Sequence, residues 1–305
     1  MSRRLLAALA AAVLTLSLAA CGANNNPMGT PGASTPAGGQ EVIVGSANFT
    51  ESEVLAELYA GALNAKGVKA STKTRIGSRE VYLQALKDGS ISAIPEYTGN
   101  LLAFVDPQNP AAKAEEIIAA LPKAVGPQLA VLAASPAADQ DVYVVTKSTS
   151  DGQGIKTLRD LAKIANASVL GGPAELAKRP YGPPGLASIY KVTFKEFRVY
   201  NSNAVKIKDL NDNKIQVATF FTTDTALADN PYVQLEDPEG MILPQQVIPL
   251  VRSDVAANAA AKAAMDAVSA ALTTKDLIEL NRQVDDQHKA AKDVAADWLK
   301  SKGLA

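Results

Sequence analysis

Two short segments combine side chains that could hold a small molecule with turns that would position them. Residues 95–99 (Pro-Glu-Tyr-Thr-Gly) place an aromatic ring and a carboxylate where the apolar run 91–94 meets a turn. Residues 45–51 (Gly-Ser-Ala-Asn-Phe-Thr-Glu) place small and polar side chains between the apolar run 42–44 and the start of a helix. Neither segment contains a nucleophile beside a base or a cluster of metal ligands. The chemistry that they indicate is binding of a ligand without its transformation.

The counts of histidine, cysteine and charged residues exclude several classes of function. His288 is the only histidine, and its polar helical surroundings favour a solvated surface residue. Cys21 is the only cysteine, so no intramolecular disulfide can form. The 30 basic and 31 acidic side chains give a net charge of −1, without the basic excess of a nucleic-acid-binding protein. We therefore predict no catalytic residues, no metal, no cofactor and no nucleic-acid partner.

The N-terminus is typical of an exported precursor. Arg3 and Arg4 precede the apolar run 5–20, which is shorter than the roughly 20 residues that a membrane span needs. Small residues then lead to Cys21, a pattern that resembles the lipobox of bacterial lipoproteins. The resemblance implies a signal peptide over 1–20, lipidation of Cys21, and a position at the outer face of the cytoplasmic membrane. The alternative is an ordinary signal peptide followed by a chance cysteine.

The segment after the cleavage site predicts a flexible tether. Residues 21–40 are mostly Gly, Pro, Ala and small polar residues, which cannot bury a core. No segment after residue 21 is long and apolar enough to span a bilayer. The tether would hold a folded part away from the membrane surface.

From residue 41 onward, short β-rich runs alternate with helical patterns, which predicts α/β layering. Residues 41–97 form a β-α-β-α-β pattern, the start of a doubly wound lobe. Thr50 and Glu53 match a capping box for the first helix, and Ser78 is the expected N-cap of the second. The candidate buried positions of the second helix are Val81, Leu83 and Leu86.

The second half of the chain repeats the alternation and then ends in helices without strands. The helices expected between 256 and 300 have no strand partners of their own, so we expect them to pack on the first lobe. One lobe interrupted by another gives a two-lobed clamshell, which binds ligands in the cleft at the carboxyl ends of the strands. The expected lobes are 41–142 plus 246–305 (lobe I) and 143–245 (lobe II). Two sequential domains are the alternative.

From about residue 41 to the C-terminus, the chain resembles the osmoprotectant-binding proteins of ABC importers, the glycine betaine, choline and carnitine type. The resemblance implies an α/β fold, the type II periplasmic-binding-protein clamshell, in which each lobe is a mixed sheet flanked by helices. It also implies a monomer that captures a small-molecule solute and delivers it to the ABC permease subunits in the membrane. The segments that carry the resemblance are 45–51, 85–89, 95–99, Arg179 with 185–186, 222–224 and 249–252.

The chemistry of such a solute defines the side chains that it needs. A quaternary ammonium donates no hydrogen bond, so ring faces recognise it, each contact contributing about 0.5–2 kcal/mol. A solute carboxylate needs an arginine fork or backbone N–H groups at a helix N-terminus. The resemblance implies that Tyr97, Tyr143 and Phe221 hold the cation and that Arg179 binds the carboxylate. The other candidate ligand-binding residues are Ser46, Asn48, Asn100 and Gln245.

Several positions depart from the family pattern. Ala47 stands where lysine is common, Asn100 where threonine is common, and Gln245 or Gln246 where an aromatic residue is common. These changes weaken both ends of a betaine site and leave open a larger, less cationic solute on the same fold. A surface lipoprotein for sensing or docking is a second alternative. An exported hydrolase is disfavoured because no nucleophile elbow or zinc motif is present.

Other polar and aromatic residues are expected to be structural. Glu96 would repel a solute carboxylate, so we expect it to be paired or to point away from the ligand. Tyr59, Tyr82 and Tyr190 occupy helical faces, where a tyrosine is usually part of the core.

Overall fold

The computed structural model describes residues 41–305. The predicted signal peptide, the tether and the lipidation site Cys21 lie outside the described residues. The strands are β1 Val42–Gly45, β2 Ala70–Lys73, β3 Ala93–Tyr97, β4 Leu129–Val131, β5 Asp141–Thr146, β6 Val169–Gly172, β7 Glu196–Val199, β8 Val217–Phe221, β9 Tyr232–Gln234 and β10 Val247–Arg252. The helices are α1 Thr50–Ala65, α2 Arg79–Lys87, α3 Thr98–Val105, α4 Ala114–Ala124, α5 Lys147–Gln153, α6 Pro183–Gly185, α7 Asn203–Asn211, α8 Ala226–Asp229, α9 Ser253–Ala257, α10 Ala259–Ala271, α11 Thr274–Asp285 and α12 Ala291–Ser301.

The strands form two mixed sheets of five strands each. The first has the order β2-β1-β3-β10-β4, with β10 antiparallel to its neighbours and β1 parallel to β2 and β3. The second has the order β7-β6-β8-β5-β9, with β5 antiparallel to β8 and β9. We call the first sheet with its helices lobe I and the second sheet with its helices lobe II. This is the predicted clamshell fold, with two mixed sheets flanked by helices.

The connection between the lobes follows from the position of β10. Because β10 lies between β3 and β4, the chain leaves lobe I after β4 and returns to it at residue 247. Lobe I is therefore interrupted by lobe II, and the alternative of two sequential domains is wrong. The connecting segments 132–140 and 235–246 lie side by side, with a bridge between Ala138 and Gln246. The lobe boundaries near 142 and 246 stay a prediction.

The C-terminal helices pack on lobe I, as expected. Helix α1 contacts α10, α11 and α12, and their apolar faces form one core with β1 and β10. Leu55 and Leu58 of α1 are fully buried there, beside Met265 and Trp298. A separate hydrophobic core that includes Tyr143 and Leu170 holds lobe II together. Within residues 41–305, no helix combines the length and the apolar character that crossing a bilayer requires.

The expected capping box at the start of α1 is wrong. The N-cap residue is Phe49, and its side chain makes no capping hydrogen bond. The Thr50 hydroxyl instead donates to Asp285 Oδ1 at 2.7 Å, and Glu53 pairs with Arg75 at 2.8 Å. Long-range partners therefore replace the local bonds that the spacing of Thr50 and Glu53 predicts. Asp285 ties the N-terminus of α1 to α11, and Arg75 ties it to the segment between β2 and α2.

The buried positions of helix α2 are as predicted except for Val81. Ser78 is the N-cap residue, as predicted, but its hydroxyl donates to Glu80 Oε2 instead of capping the backbone. Leu83 and Leu86 are buried, whereas Val81 is 50% exposed. The expectation for Val81 is wrong because the buried side of α2 also includes Arg79 and Tyr82, which rotates the buried face away from Val81.

Candidate functional site

Three aromatic rings meet where the two lobes face each other. The Phe49 and Tyr97 ring centroids are 6.2 Å apart, and those of Phe49 and Phe221 are 5.3 Å apart. Phe49 and Tyr97 belong to lobe I, and Phe221 is the last residue of β8 in lobe II. We call these three residues the ring cluster. Such a cluster offers ring faces from both lobes to one cation.

The position of each ring follows from the end of a strand. Tyr97 is the last residue of β3, and Phe49 lies between the end of β1 and the start of α1. The structure thus places the rings of Tyr97 and Phe221, two sequence-predicted site residues, beside the ring of Phe49. Phe49 belongs to the motif 45–51 but is not among the sequence-predicted site residues. Its position after a strand and directly before a helix could have identified it, because ligands bind at the ends of strands in such folds.

A buried carboxylate lies under the ring cluster. Glu51 is 4% exposed, and its Oε1 accepts a hydrogen bond from the Tyr97 hydroxyl at 2.6 Å. Its Oε2 accepts from the Thr223 hydroxyl at 2.6 Å and from Asn281 Nδ2 at 2.8 Å. Burial raises the pKa of Glu51 although these three bonds oppose the change. Because Thr223 lies in lobe II, Glu51 joins the two lobes, a role that the sequence analysis missed.

Two further acids bond to residues 221–223, at the end of β8. Asp139 accepts hydrogen bonds from the Thr222 hydroxyl at 3.1 Å and the Thr223 N–H at 3.0 Å. Asp224 Oδ2 accepts from the Phe221 N–H at 2.9 Å. Burial raises the pKa of both acids, and the charge of Glu51 adds to the effect at Asp139. In the part of the chain that the structure describes, neither forms a salt bridge. The surroundings of the rings are therefore acidic.

Asn100 and Gln245 connect lobe I to the segment that returns from lobe II. Gln245 Oε1 accepts from the Asn100 N–H at 2.9 Å, and Gln245 Nε2 donates to Asn100 Oδ1 at 2.6 Å. Asn100 Nδ2 then donates to Asp141 Oδ2 at 2.8 Å. A side chain at Gly99 would place its Cβ 2.5 Å from the Pro244 oxygen, so only glycine permits this approach. The ligand-binding roles of Asn100 and Gln245 stay predictions, and their observed partners are protein groups.

Asp141 makes the stability of this region depend on pH. Burial raises the pKa of its carboxyl from 3.8 to about 6. Between these values the folded protein binds more protons than the unfolded chain, so the contribution of Asp141 to stability falls as pH rises. A shift of this size corresponds to at most about 3 kcal/mol, and the partial exposure of the residue reduces the expected value to about 1 kcal/mol.

We expect the substitution Asp141→Asn to raise the midpoint of thermal unfolding at pH 7.5 by a few degrees and to leave it unchanged near pH 4. The amide oxygen can still accept from Asn100, whereas the buried charge is lost. Circular dichroism melts at both pH values measure this difference. The substitution Asp297→Asn, at an exposed position of α12, is the control. An equal shift at both pH values would contradict the explanation by charge.

Tyr143 and Arg179 do not contact the ring cluster through any hydrogen bond or ring pair found in the described residues. Tyr143 is fully buried in the lobe II core, and its hydroxyl donates to the Tyr181 carbonyl at 2.8 Å. The Arg179 guanidinium donates to both carboxylate oxygens of Glu80, at 2.8 and 3.0 Å, and lies 5.3 Å from the centre of the Phe104 ring. The predicted ligand contacts of Tyr143 and Arg179 stay untested, and both side chains have protein partners.

Ser46 and Asn48 lie in the turn between β1 and α1. The buried Ser46 hydroxyl donates to the Ala47 carbonyl at 3.1 Å and accepts from the Arg75 N–H at 2.8 Å. Asn48 is exposed. Ser46 therefore shapes the backbone that carries Phe49, and its direct contact with a ligand stays a prediction, as does that of Asn48.

Glu96 is paired, as expected. Its carboxylate accepts from Arg79 Nε at 2.8 Å and Arg79 Nη2 at 2.9 Å, and also from the Tyr82 hydroxyl at 2.7 Å. Glu96 is fully buried and Arg79 nearly so. The pair fixes the end of β3, where the Tyr97 N–H donates to Glu96 Oε2 at 3.0 Å. It therefore holds the backbone that carries the Tyr97 ring.

The chain is similar in sequence and in fold to proteins of one functional group. The chain is 27% identical over 276 residues to the glycine betaine-binding protein YehZ of Escherichia coli (strain K12), covering 86% of this chain and 90% of that one. The structure of apo YehZ from E. coli superposes with a TM-score of 0.62 at 26% identity, covering 88% of this chain and 100% of the other. The crystal structure of a glycine betaine/carnitine/choline ABC transporter protein has a TM-score of 0.69 at 20% identity, covering 86% and 99%.

A family model matches almost the whole described part of the chain. The matched residues are 40–301, and the model describes the substrate-binding domain of the ABC-type glycine betaine transport system. Proteins of this family bind solutes outside the cytoplasm for a membrane permease and are not enzymes. This chain belongs to the OpuAC family of substrate-binding domains of ABC-type glycine betaine transport systems.

Proposed function

We propose that this protein captures a quaternary ammonium solute, such as glycine betaine or choline, between its two lobes and delivers it to an ABC permease. The observation that carries the proposal is the ring cluster, in which Phe49 of lobe I packs against Tyr97 of the same lobe and against Phe221 of lobe II. A quaternary ammonium is recognised by ring faces because it has no N–H to donate. The E. coli relative YehZ is described as a glycine betaine-binding protein, which supports the same class of solute.

We also propose how the protein is anchored, that it is a monomer, and how its lobes close. We place the protein as a monomer at the outer face of the cytoplasmic membrane, anchored by a lipid on Cys21. Closure is a hinge motion of the two lobes, driven by a ligand that contacts both of them. The bonds from the Thr223 hydroxyl to Glu51 and from the Asn100 amide to Asp141 cross between the lobes and support this hinge motion. The ligand leaves the cleft chemically unchanged.

A thermal-shift screen of the purified chain tests the proposed solute class. The panel contains glycine betaine, choline and carnitine, with ectoine and proline as other osmolytes. A true ligand at a hundred times its dissociation constant adds about 2.7 kcal/mol to the free energy of unfolding. We expect a rise of about 5–10 °C with at least one quaternary amine.

A neutral isostere provides the control for this screen. In 3,3-dimethylbutan-1-ol, carbon replaces the quaternary nitrogen of choline, so the shape is kept and the charge is lost. It is expected to give a much smaller shift than choline. If no quaternary amine raised the unfolding midpoint, the proposed function would be wrong.

A further inference from the structure

Arg179, which the family resemblance assigns to a solute carboxylate, is bound by a side chain of the protein itself. Its side chain is 7% exposed, and two guanidinium nitrogens bind the two oxygens of Glu80. This two-point geometry is the one that an arginine would use for a carboxylate ligand. Glu80 lies on α2 of lobe I, whereas Arg179 lies in lobe II. Glu80 therefore takes the place of a ligand carboxylate when the lobes are together.

Other cations near the site have partners as well. Arg79 is held by Glu96 through two hydrogen bonds. The Lys206 ammonium donates to the Thr219 carbonyl at 2.6 Å and lies 4.1 Å from the centre of the Phe220 ring. At position 47, where the family pattern often has lysine, the chain has alanine. Neither Arg79 nor Lys206 is therefore available to a solute carboxylate.

The donors around the ring cluster are already used by acids. The hydroxyls of Tyr97 and Thr223 and the amide of Asn281 all donate to Glu51. The Asn281 Oδ1 atom, in contrast, is buried and has no hydrogen-bond partner. The buried polar groups beside the rings are thus acids and one acceptor without a partner, and the donors among them are engaged. These groups do not suit the carboxylate of a zwitterion.

From these contacts we propose that Glu80 determines specificity: by occupying Arg179, it makes the chain prefer a quaternary ammonium without a carboxylate, of which choline is the simplest hydroxylated example. The inference rests on the proposed function and names its solute class more narrowly. The hydrogen bonds from Arg179 hold the pKa of Glu80 at about 2, so the pair stays ionised at neutral pH. A betaine carboxylate must displace Glu80 to reach Arg179, whereas choline leaves the pair intact.

Calorimetric titration of the full chain with choline and with glycine betaine tests the inference. We expect the unsubstituted protein to bind choline at least tenfold more tightly than glycine betaine. In the variant Glu80→Gln, Arg179 is released, and the affinity for betaine relative to choline is expected to rise about tenfold. Loss of the contact between the lobes weakens closure around either solute, so this effect cancels in the ratio. The control Glu115→Gln removes an exposed carboxylate of α4 and is expected to keep the ratio unchanged.

A second variant separates release of Arg179 from a general loosening of the protein. In the double variant Glu80→Gln/Arg179→Met no cation is released, so the relative affinity for betaine is expected to stay at the unsubstituted value. A preference for betaine in the unsubstituted protein, or an unchanged ratio in Glu80→Gln, would overturn the inference and leave the proposed function standing. If no quaternary ammonium solute, carnitine included, bound to any variant, the proposed function would fail and the inference with it.

Discussion

Replacement of Glu96 by alanine is expected to lower the free energy of unfolding by about 3–5 kcal/mol, because it leaves a buried guanidinium without its counter-charge. Arg79 makes two hydrogen bonds to Glu96 and has little access to water. The same substitution removes the acceptor of the Tyr82 hydroxyl and of the Tyr97 N–H. Each of these losses leaves a buried polar group without its hydrogen bond, and water does not replace that bond.

Chemical denaturation followed by circular dichroism measures this effect. The matched control is Glu115→Ala, at an exposed position of α4, where a change within about 0.5 kcal/mol is expected. The double variant Arg79→Met/Glu96→Leu replaces both charges with apolar groups and is expected to recover most of the loss. A cost below 1 kcal/mol for Glu96→Ala, close to that of the control, would contradict the burial of this ion pair.

The buried ion pair of Arg79 and Glu96 also shows what the sequence could predict and what it could not. The structural role of Glu96 was predictable, since a carboxylate at the end of a strand would repel an anionic solute. Its partner was not predictable, because Arg79 is 17 positions away on another element. The fold was predictable because each strand and helix of lobe I has its own local pattern, whose periodicity depends only on neighbouring residues. Contacts between elements depend on packing, which periodicity does not describe.

In the candidate site, too, local patterns predict some residues, whereas others depend on contacts between elements. Tyr97 and Phe221 end their strands, and strand ends converge on the cleft in this fold, so both positions were predictable. Tyr143 lies inside β5, where residues 142–145 are all buried. In a strand that is covered on both faces, alternation does not reveal which side chains face a ligand. The engagement of Arg179 by Glu80 depends on the relative position of two lobes, which no local pattern specifies.

Replacement of both Phe49 and Phe221 by leucine is expected to weaken choline binding by about 30- to 150-fold. Leucine keeps an apolar side chain at each position but has no ring quadrupole to attract the cation. Two cation–π contacts of about 1–1.5 kcal/mol each give a loss of about 2–3 kcal/mol. Calorimetric titration of the double variant measures it. The matched control is Phe220→Leu, the neighbouring position of β8, whose ring packs 5.9 Å from Tyr232 in the lobe II core.

The two single variants distinguish a shared cation site from two unrelated packing defects. Phe49 contacts both Tyr97 and Phe221, so its loss also removes the support of the other rings. If one cation lies against both phenyl rings, each single substitution is expected to cost about 1–1.5 kcal/mol of binding free energy, and any departure of the double variant from their sum measures the coupling between the two rings. Single-variant effects that both lie within threefold of the Phe220→Leu control would mean that the cation binds elsewhere. Because Phe221 belongs to lobe II, its loss is expected to speed dissociation from the closed state, since only closure brings this ring to a ligand held on lobe I.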